Sequence, residues 1–359
     1  MNLPGQRLLH QYVLRRSLPR CRRYSSGTQQ AQKRTTSRFV PLALGVGAVT
    51  GLSVYFFFPD ASRSAPTLST SPLSPSHFTP STVISNETAG PDTKLLEVVV
   101  PPHLLPPRDT ADASASAFAP IWSVFIKDDD IQVERPYTPL EGVDEEGRML
   151  FWIKKYPKGE VGRWLHSKHG GEKLELRGPI TTWPWRDGEW DEVIMISGGT
   201  GITPFYQLFH SVISRSPDAK TRFTLLHSSQ TPAELPPPRI MDRLTRFAAQ
   251  NPERFRLRLF VDSLDGPAPT SHMPAPHVGR IDNTAIERCL GLDQRRTWLR
   301  RLFGMAEAPR PNRKILFLVC GPDPMVNAIS GPFGRNFSQG PVRGVLGEMG
   351  FTSKEVWKL

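Results

Sequence analysis

The chain has 359 residues, with 45 Lys and Arg against 34 Asp and Glu, for a formal charge of +11. Residues 1–59 hold nine of those basic residues and no acidic one, so the remainder, with 36 basic against 34 acidic, is nearly neutral. A nucleic-acid role, which needs a basic stripe on a folded domain, is left without support, and the three cysteines, Cys21, Cys289 and Cys320, make neither a disulfide framework nor a zinc site.

In chain order, residues 1–39 read as a mitochondrial presequence: Arg-rich, free of acidic residues, with Leu8, Leu9, Tyr12, Val13 and Leu18 set among the arginines as in a basic amphipathic helix. A disordered basic tail would have the same composition. Val40 to Phe58 is nineteen residues without a charge; at about 1.5 Å per residue it reaches roughly the thickness of a hydrocarbon core, so one transmembrane helix is expected there. Arg34 and Arg38 precede this stretch and Asp60 follows it. By the positive-inside rule, the N-terminus is expected in the matrix and the rest in the intermembrane space, anchored to the inner mitochondrial membrane. Residues 59–92, rich in Ser, Pro and Thr, lack periodic apolar positions and read as a linker.

Beyond the linker, short apolar or alternating runs separated by Pro, Gly and Asp predict strands at 96–100, 122–126, 149–154 and 173–177, and a small antiparallel β-barrel. From Val193 onward the pattern changes to strand and helix in turn: 193–196 then 204–214, 223–226 then 239–249, 256–261 then 282–290, and 315–319 then 324–330. That alternation predicts an α/β domain with a doubly wound parallel sheet, whose ligands bind at the carboxyl ends of the strands.

Three runs carry the chemistry. Arg135-Pro136-Tyr137-Thr138-Pro139 places a fixed cation at a strand end. Gly198-Gly199-Thr200-Gly201-Ile202-Thr203-Pro204 follows a strand and opens a helix, so its glycines let backbone approach a ligand while the helix start offers N–H groups to phosphate. It lacks the Gly-x-Gly-x-x-Gly spacing of the usual dinucleotide fingerprint. Cys320-Gly321-Pro322-Asp323-Pro324-Met325 closes another strand and puts a small polarisable side chain near the same cleft. A plain structural turn and a buried structural thiol remain open for the last two. Together and in this order the runs suit a flavin-plus-nicotinamide electron-transfer module, and no Cys-x-x-Cys-His for covalent haem is present.

In these motifs residues 94–359 resemble the NADH–cytochrome b5 reductase branch of the ferredoxin–NADP reductase superfamily. The resemblance implies an FAD-binding β-barrel over 93–180 and an NAD(P)-binding domain over 190–359, with FAD and NAD(P)H as cofactors. It implies Arg135 on the FAD pyrophosphate, and Tyr137 and Thr138 on the flavin and its ribityl chain. Ile153, Lys154 and Tyr156 match the following strand, and Gly159 to Gly162 the phosphate-binding turn. Thr203 would lie near the isoalloxazine, Gly198, Gly199, Thr200 and Gly201 near the nicotinamide, and Cys320, Gly321, Pro322 and Met325 beside the hydride path. Thr200, Thr203 and Cys320 are thus the candidate catalytic residues. Glu234, in the loop after strand 223–226, could accept from the ribose hydroxyls of NADH and repel a 2′-phosphate; an exposed loop glutamate would look the same. The chain departs from the family with Glu160 and Gly162 where a lysine and a serine are usual, and with a C-terminal Leu359 where an aromatic is typical.

The full layout is most similar to the fungal mitochondrial cytochrome c import factors, inner-membrane flavoproteins tied to haem reduction for cytochrome c maturation. That resemblance implies an enzyme passing electrons from NAD(P)H through FAD to haem or a haem protein, with cytochrome c, haem lyase or cytochrome b5 as partners. A generic cytochrome b5 reductase and a non-catalytic biogenesis scaffold are the alternatives.

Overall fold

The computed structural model describes residues 65–106, 118–128, 132–215, 220–266, 273–291, 313–335 and 338–359. The expected presequence and transmembrane helix lie outside them, and among the described residues no helix is long and apolar enough to cross a membrane.

The first half is a six-stranded antiparallel sheet: β1 (Thr79–Gly90), β2 (Thr93–Val99), β3 (Ile121–Lys127), β4 (Glu134–Tyr137), β5 (Arg148–Lys154) and β6 (Lys173–Trp183), in the order β4-β3-β6-β1-β2-β5. Its core holds Val98, Val124, Phe151, Ile153 and Leu176, covered by Val161 and Leu165 of helix α1 (Glu160–Ser167). The helix is tied to β5 where a ring nitrogen of His166 meets the Ile153 carbonyl at 3.1 Å.

One expectation is overturned here. The Ser/Pro-rich stretch read as a linker over 59–92 contains β1, which sits between β6 and β2 with Thr79 opposite Leu176 and Asn86 opposite Leu96. Upstream of it Leu73 and Phe78 are core residues. The alternation is present but polar: Thr79, Ser81 and Val83 are the inward positions, and the Ser81 hydroxyl is satisfied by donating to the Leu174 carbonyl at 3.3 Å. A small hydroxylated side chain that finds a backbone acceptor can be buried like an apolar one, so hydropathy alone did not report the strand.

The second half is a parallel sheet of β7 (Glu192–Gly198), β8 (Arg222–Ser229), β9 (Phe255–Val261), β10 (His277–Val278), β11 (Ile315–Cys320) and β12 (Val356–Lys358), ordered β10-β9-β8-β7-β11-β12. Every residue of β7 is buried, because both faces are covered. Val193 and Met195 pack with α2 (Thr203–Leu208) and α3 (Pro238–Gln250); Ile194 and Ile196 pack with α4 (Asn283–Leu290), α5 (Asp323–Ser330) and α6 (Gly344–Glu348). The predicted 204–214 helix is α-helical only through Leu208 and widens to a π-turn over Phe209–Ile213. The chain runs outward from β7 to β10, then crosses back to place β11 on the other side of β7. The ends of β7 and β11 therefore flank the switch point at which doubly wound sheets bind ligands.

The two halves are joined by buried polar contacts as well as apolar ones. Gln207 of α2, 2% exposed, donates from Nε2 to the Pro139 carbonyl at 2.9 Å and accepts from the Trp122 N–H at 2.8 Å. The helix that begins at Thr203 is thereby pinned to the end of the Arg135–Pro139 run.

Candidate active site

A cleft of about 530 Å³ opens between the antiparallel sheet and the carboxyl end of the parallel one, within the roughly 300–1,000 Å³ usual for cofactor sites. From the antiparallel side it is lined by Arg135, Tyr137, Thr138, Ile153, Lys154 and Tyr156, with Gly159 and Gly162 at the start of α1. From the parallel side come Gly198, Thr200, Gly201, Thr203, Cys320, Gly321 and Pro322. The three sequence runs, separated by up to 180 residues, thus meet in one place because β4, β7 and β11 all end there.

Three expected residues are not among those lining it. Gly199 lies in the turn itself, with φ of +52°, a left-handed conformation that favours glycine. Met325 lies beneath the turn: its sulfur is 3.7 Å from the Ser228 hydroxyl, and a Cβ on Gly198 would come within 2.6 Å of it. Glu234, in a 3-10 turn over Pro232–Glu234, has its carboxylate on Lys154 Nζ at 2.6 Å, so it meets the cleft through a lysine of the opposite domain.

Conversely, Trp152, Lys158, Thr182 and Leu359 line the cleft without having been singled out as site residues. Lys158 carried a readable signal, being a cation between Pro157 and Gly159 just before a helix start. Leu359, which the resemblance marked as the C-terminal departure beside the flavin pocket, is held there by its N–H on the Val319 carbonyl at 2.9 Å.

The electrostatics favour an anion on one side of the cleft. Arg135 is exposed, its Nη1 donates to the neighbouring Glu134 carbonyl at 2.8 Å, and among the described residues no carboxylate pairs with it. Glu134 is instead engaged by Arg177, whose Nε and Nη2 approach its two oxygens at 2.7 and 2.8 Å. Arg135, Lys158 and the first turn of α1 together suit a pyrophosphate.

Glu160, the first residue of α1, brings a carboxylate to the same end. Gly162 has a packing reason: a Cβ there would stand 3.0 Å from the Lys154 carbonyl, so a serine would press α1 away from β5. On the other side, Gly201 lets the turn touch β11, since a Cβ would fall 2.4 Å from the Cys320 carbonyl. Burial pushes the Cys320 thiol up to about 12, so at neutral pH it is an uncharged thiol beside the cleft and no thiolate nucleophile. Burial likewise raises the Tyr137 phenol, which stays a hydrogen-bond donor. The residues present fit a flavin dinucleotide beside a nicotinamide dinucleotide. Among the described residues no cluster of His, Cys, Asp and Glu could hold a metal ion.

Family models for an oxidoreductase FAD-binding domain and an oxidoreductase NAD-binding domain match residues 121–185 and 195–331. NADH-cytochrome b5 reductase 2 of Scheffersomyces stipitis is 31% identical over 254 residues, covering 71% of this chain and 76% of that protein. The protein of the same name from Kluyveromyces lactis is 26% identical over 329 residues, covering 90% of this chain and 97% of its own, so the match reaches into the segment before residue 65. Among solved structures, the cytochrome b5 reductase domain of Ulva prolifera nitrate reductase shares the fold with a TM-score of 0.56 at 21% identity, covering 80% of this chain and all of that one.

Proposed function

Because the chain belongs to the NADH-cytochrome b5 reductase family of FAD-dependent oxidoreductases, we propose that it draws reducing equivalents from NADH and delivers single electrons to haem or a haem protein. It is an FAD-dependent NADH oxidoreductase whose cofactors are FAD and NAD(P)H. The observation that carries the reading is the single cleft in which the Arg135 run, the Gly198 turn and the Cys320 turn converge. Bound there, FAD supplies the conversion of a hydride into one-electron steps.

The chain's own residues bind and orient. Arg135 and the first turn of α1 at Gly159 and Gly162 hold the pyrophosphate, while Tyr137, Thr138, Ile153, Lys154 and Tyr156 line the flavin side. Gly198, Gly199, Thr200 and Gly201 would receive the nicotinamide, and Thr203 would lie near the isoalloxazine. Cys320 to Pro322, supported by Met325, close the cleft as neutral walls that keep water from the transfer. Glu234 accepts from the nucleotide ribose, which favours NADH over NADPH.

The acceptor side of the proposal follows from placement. With the N-terminus in the matrix and residues 40–58 as an inner-membrane anchor, the catalytic domain would face the intermembrane space, where cytochrome c acquires its haem. Attachment of haem to cysteine thiols needs ferrous iron, which gives a reductase a purpose there. The charge distribution supports this. The deciding measurement is stopped-flow mixing of NADH-reduced protein with haem, ferricytochrome c or cytochrome b5. Fast transfer to haem or cytochrome c is expected; a clear preference for cytochrome b5 would replace maturation with a generic reductase role. The scaffold reading draws on Glu160, whose carboxylate competes with a phosphate for the start of α1. Purified protein that shows no flavin bands and no bleaching by NADH would establish it.

A further inference from the structure

Below the cleft lies a buried polar chain that none of the motifs contains. His227, near the end of β8, is 0% exposed. Its Nδ1 is 2.8 Å from the Ser197 hydroxyl and its Nε2 is 3.2 Å from the Ser229 hydroxyl. The Ser229 Oγ is in turn 3.1 Å from the backbone carbonyl of Glu234.

The proton directions follow from the last link. A carbonyl only accepts, so the one hydroxyl proton of Ser229 goes to Glu234. Ser229 Oγ must then accept from His227, which puts the imidazole proton on Nε2. Nδ1 keeps its lone pair and accepts from Ser197. The result is a one-way relay of hydrogen bonds from Ser197 through His227 and Ser229 to Glu234; the Leu226 carbonyl also lies 3.5 Å from the Ser197 hydroxyl, and the 2.8 Å contact to Nδ1 is the shorter of the two.

Its two ends matter. Ser197 is the residue before Gly198, at the root of the turn proposed for the nicotinamide, and Glu234 is proposed to read the ribose at the other end of the same dinucleotide. The Glu234 carboxylate is fixed separately, by Lys154 at 2.6 Å. Its backbone is fixed by Ser229 and, within the turn, by its own N–H on the Thr231 carbonyl at 3.1 Å.

We propose that His227 is a positioning residue for nucleotide selection, holding the Glu234 turn at a set distance from the Gly198 turn so that the carboxylate meets a ribose and excludes a 2′-phosphate. The inference rests on the reading of Glu234 given above. Any buried imidazole needs partners for both nitrogens; what points beyond packing is where the chain leads, through the Ser229 hydroxyl to the carbonyl of Glu234 itself. A phenyl ring at 227 would fill the volume and leave Ser197 and Ser229 free to turn.

The test uses the full chain with FAD, and reads the ratio of kcat/KM for NADH to that for NADPH, normalised to flavin content. His227→Phe and Ser229→Ala are expected to lower the ratio on the order of fivefold, the worth of about one hydrogen bond, towards the value of Glu234→Gln. His227→Gln, which restores an N–H near Nε2, should recover most of it. Ser229→Ala guards against a misfolded His227→Phe, since it leaves the core ring in place. A structural role would lower both donors by the same factor and leave the ratio unmoved. If that happens while Glu234→Gln lowers the ratio, the positioning role is overturned. If Glu234→Gln leaves the ratio unmoved as well, the reading of Glu234 fails and takes the proposal with it, while flavin bleaching by NADH still reports the oxidoreductase reading independently.

Discussion

At the scale of single residues, two side chains set measurable properties. Arg135 offers the cleft a guanidinium on which no carboxylate of the described residues sits, and charge-assisted bonds to phosphate are worth about 1.5–3 kcal/mol each. Arg135→Ala should therefore weaken FAD by roughly ten- to a hundredfold and purify largely without flavin, read from the absorbance ratio of flavin to protein. His227 sets a pH dependence. Burial holds its pKa down at about 3, against an ordinary value near 6.5, so between those values the unfolded chain binds a proton that the folded one does not. Stability from this group is complete above about 6.5 and is lost as pH falls towards 3, with a slope of up to about 1.4 kcal/mol per pH unit. Thermal unfolding followed from pH 7 to pH 4 should show a shallower acid decline in His227→Gln than in the parent; equal slopes would mean that the imidazole is already charged in the folded state. Neither role is visible in the sequence, where Arg135 marks a motif without showing what its guanidinium touches, and His227 belongs to no motif.

At the scale of elements, the close approach of the Gly198–Thr203 turn to β11 is the most sensitive joint. A Cβ at Gly201 would sit 2.4 Å from a backbone carbonyl, and backbone cannot swing aside as a side chain can. Gly201→Ala is expected to spread the ends of β7 and β11, raising KM for NADH at least tenfold and lowering the thermal midpoint, whereas Gly199→Ala would be strained by its positive φ with open space around it. Steady-state kinetics and a melting curve on both variants distinguish the joint from the turn. β7 and β11 were legible because both their faces are buried, which makes each a nearly unbroken apolar run, whereas the short edge strands β10 and β12 were not expected. β1 was not, because its inward positions include Thr79 and Ser81. Helix α1 was read only as a turn: eight residues beginning at Glu160, just after Gly159, offer too little periodicity to separate a short helix from a loop.

At the scale of the whole molecule, Gln207 is the polar hinge pin between the halves. Gln207→Leu keeps the volume but strands the Trp122 N–H and leaves the Pro139 carbonyl only a long 3.4 Å bond from the Gly142 N–H, and a buried unpaired group costs about 1–3 kcal/mol. Denaturant unfolding should show that loss, along with slower flavin bleaching by NADH because the Thr203 helix is no longer registered on the Pro139 strand. For the full chain, protease added to mitochondria with ruptured outer membranes should digest the catalytic domain; protection until the inner membrane dissolves would reverse the proposed topology. Sequence alone determined what depends on local order along the chain: the charge-free segment at 40–58, the alternation of strand and helix after Val193, and the three runs with their chemistry. Those are properties of neighbouring residues, and periodicity reports them. Only the tertiary structure decided which residues meet. The cleft draws its walls from Lys158, Trp152 and Leu359 as well as from the motifs, Glu234 reaches it through Lys154, and a histidine buried beneath it ties the two loops together. Each of these pairs distant positions through strand order and crossover, and no local pattern encodes such a pairing.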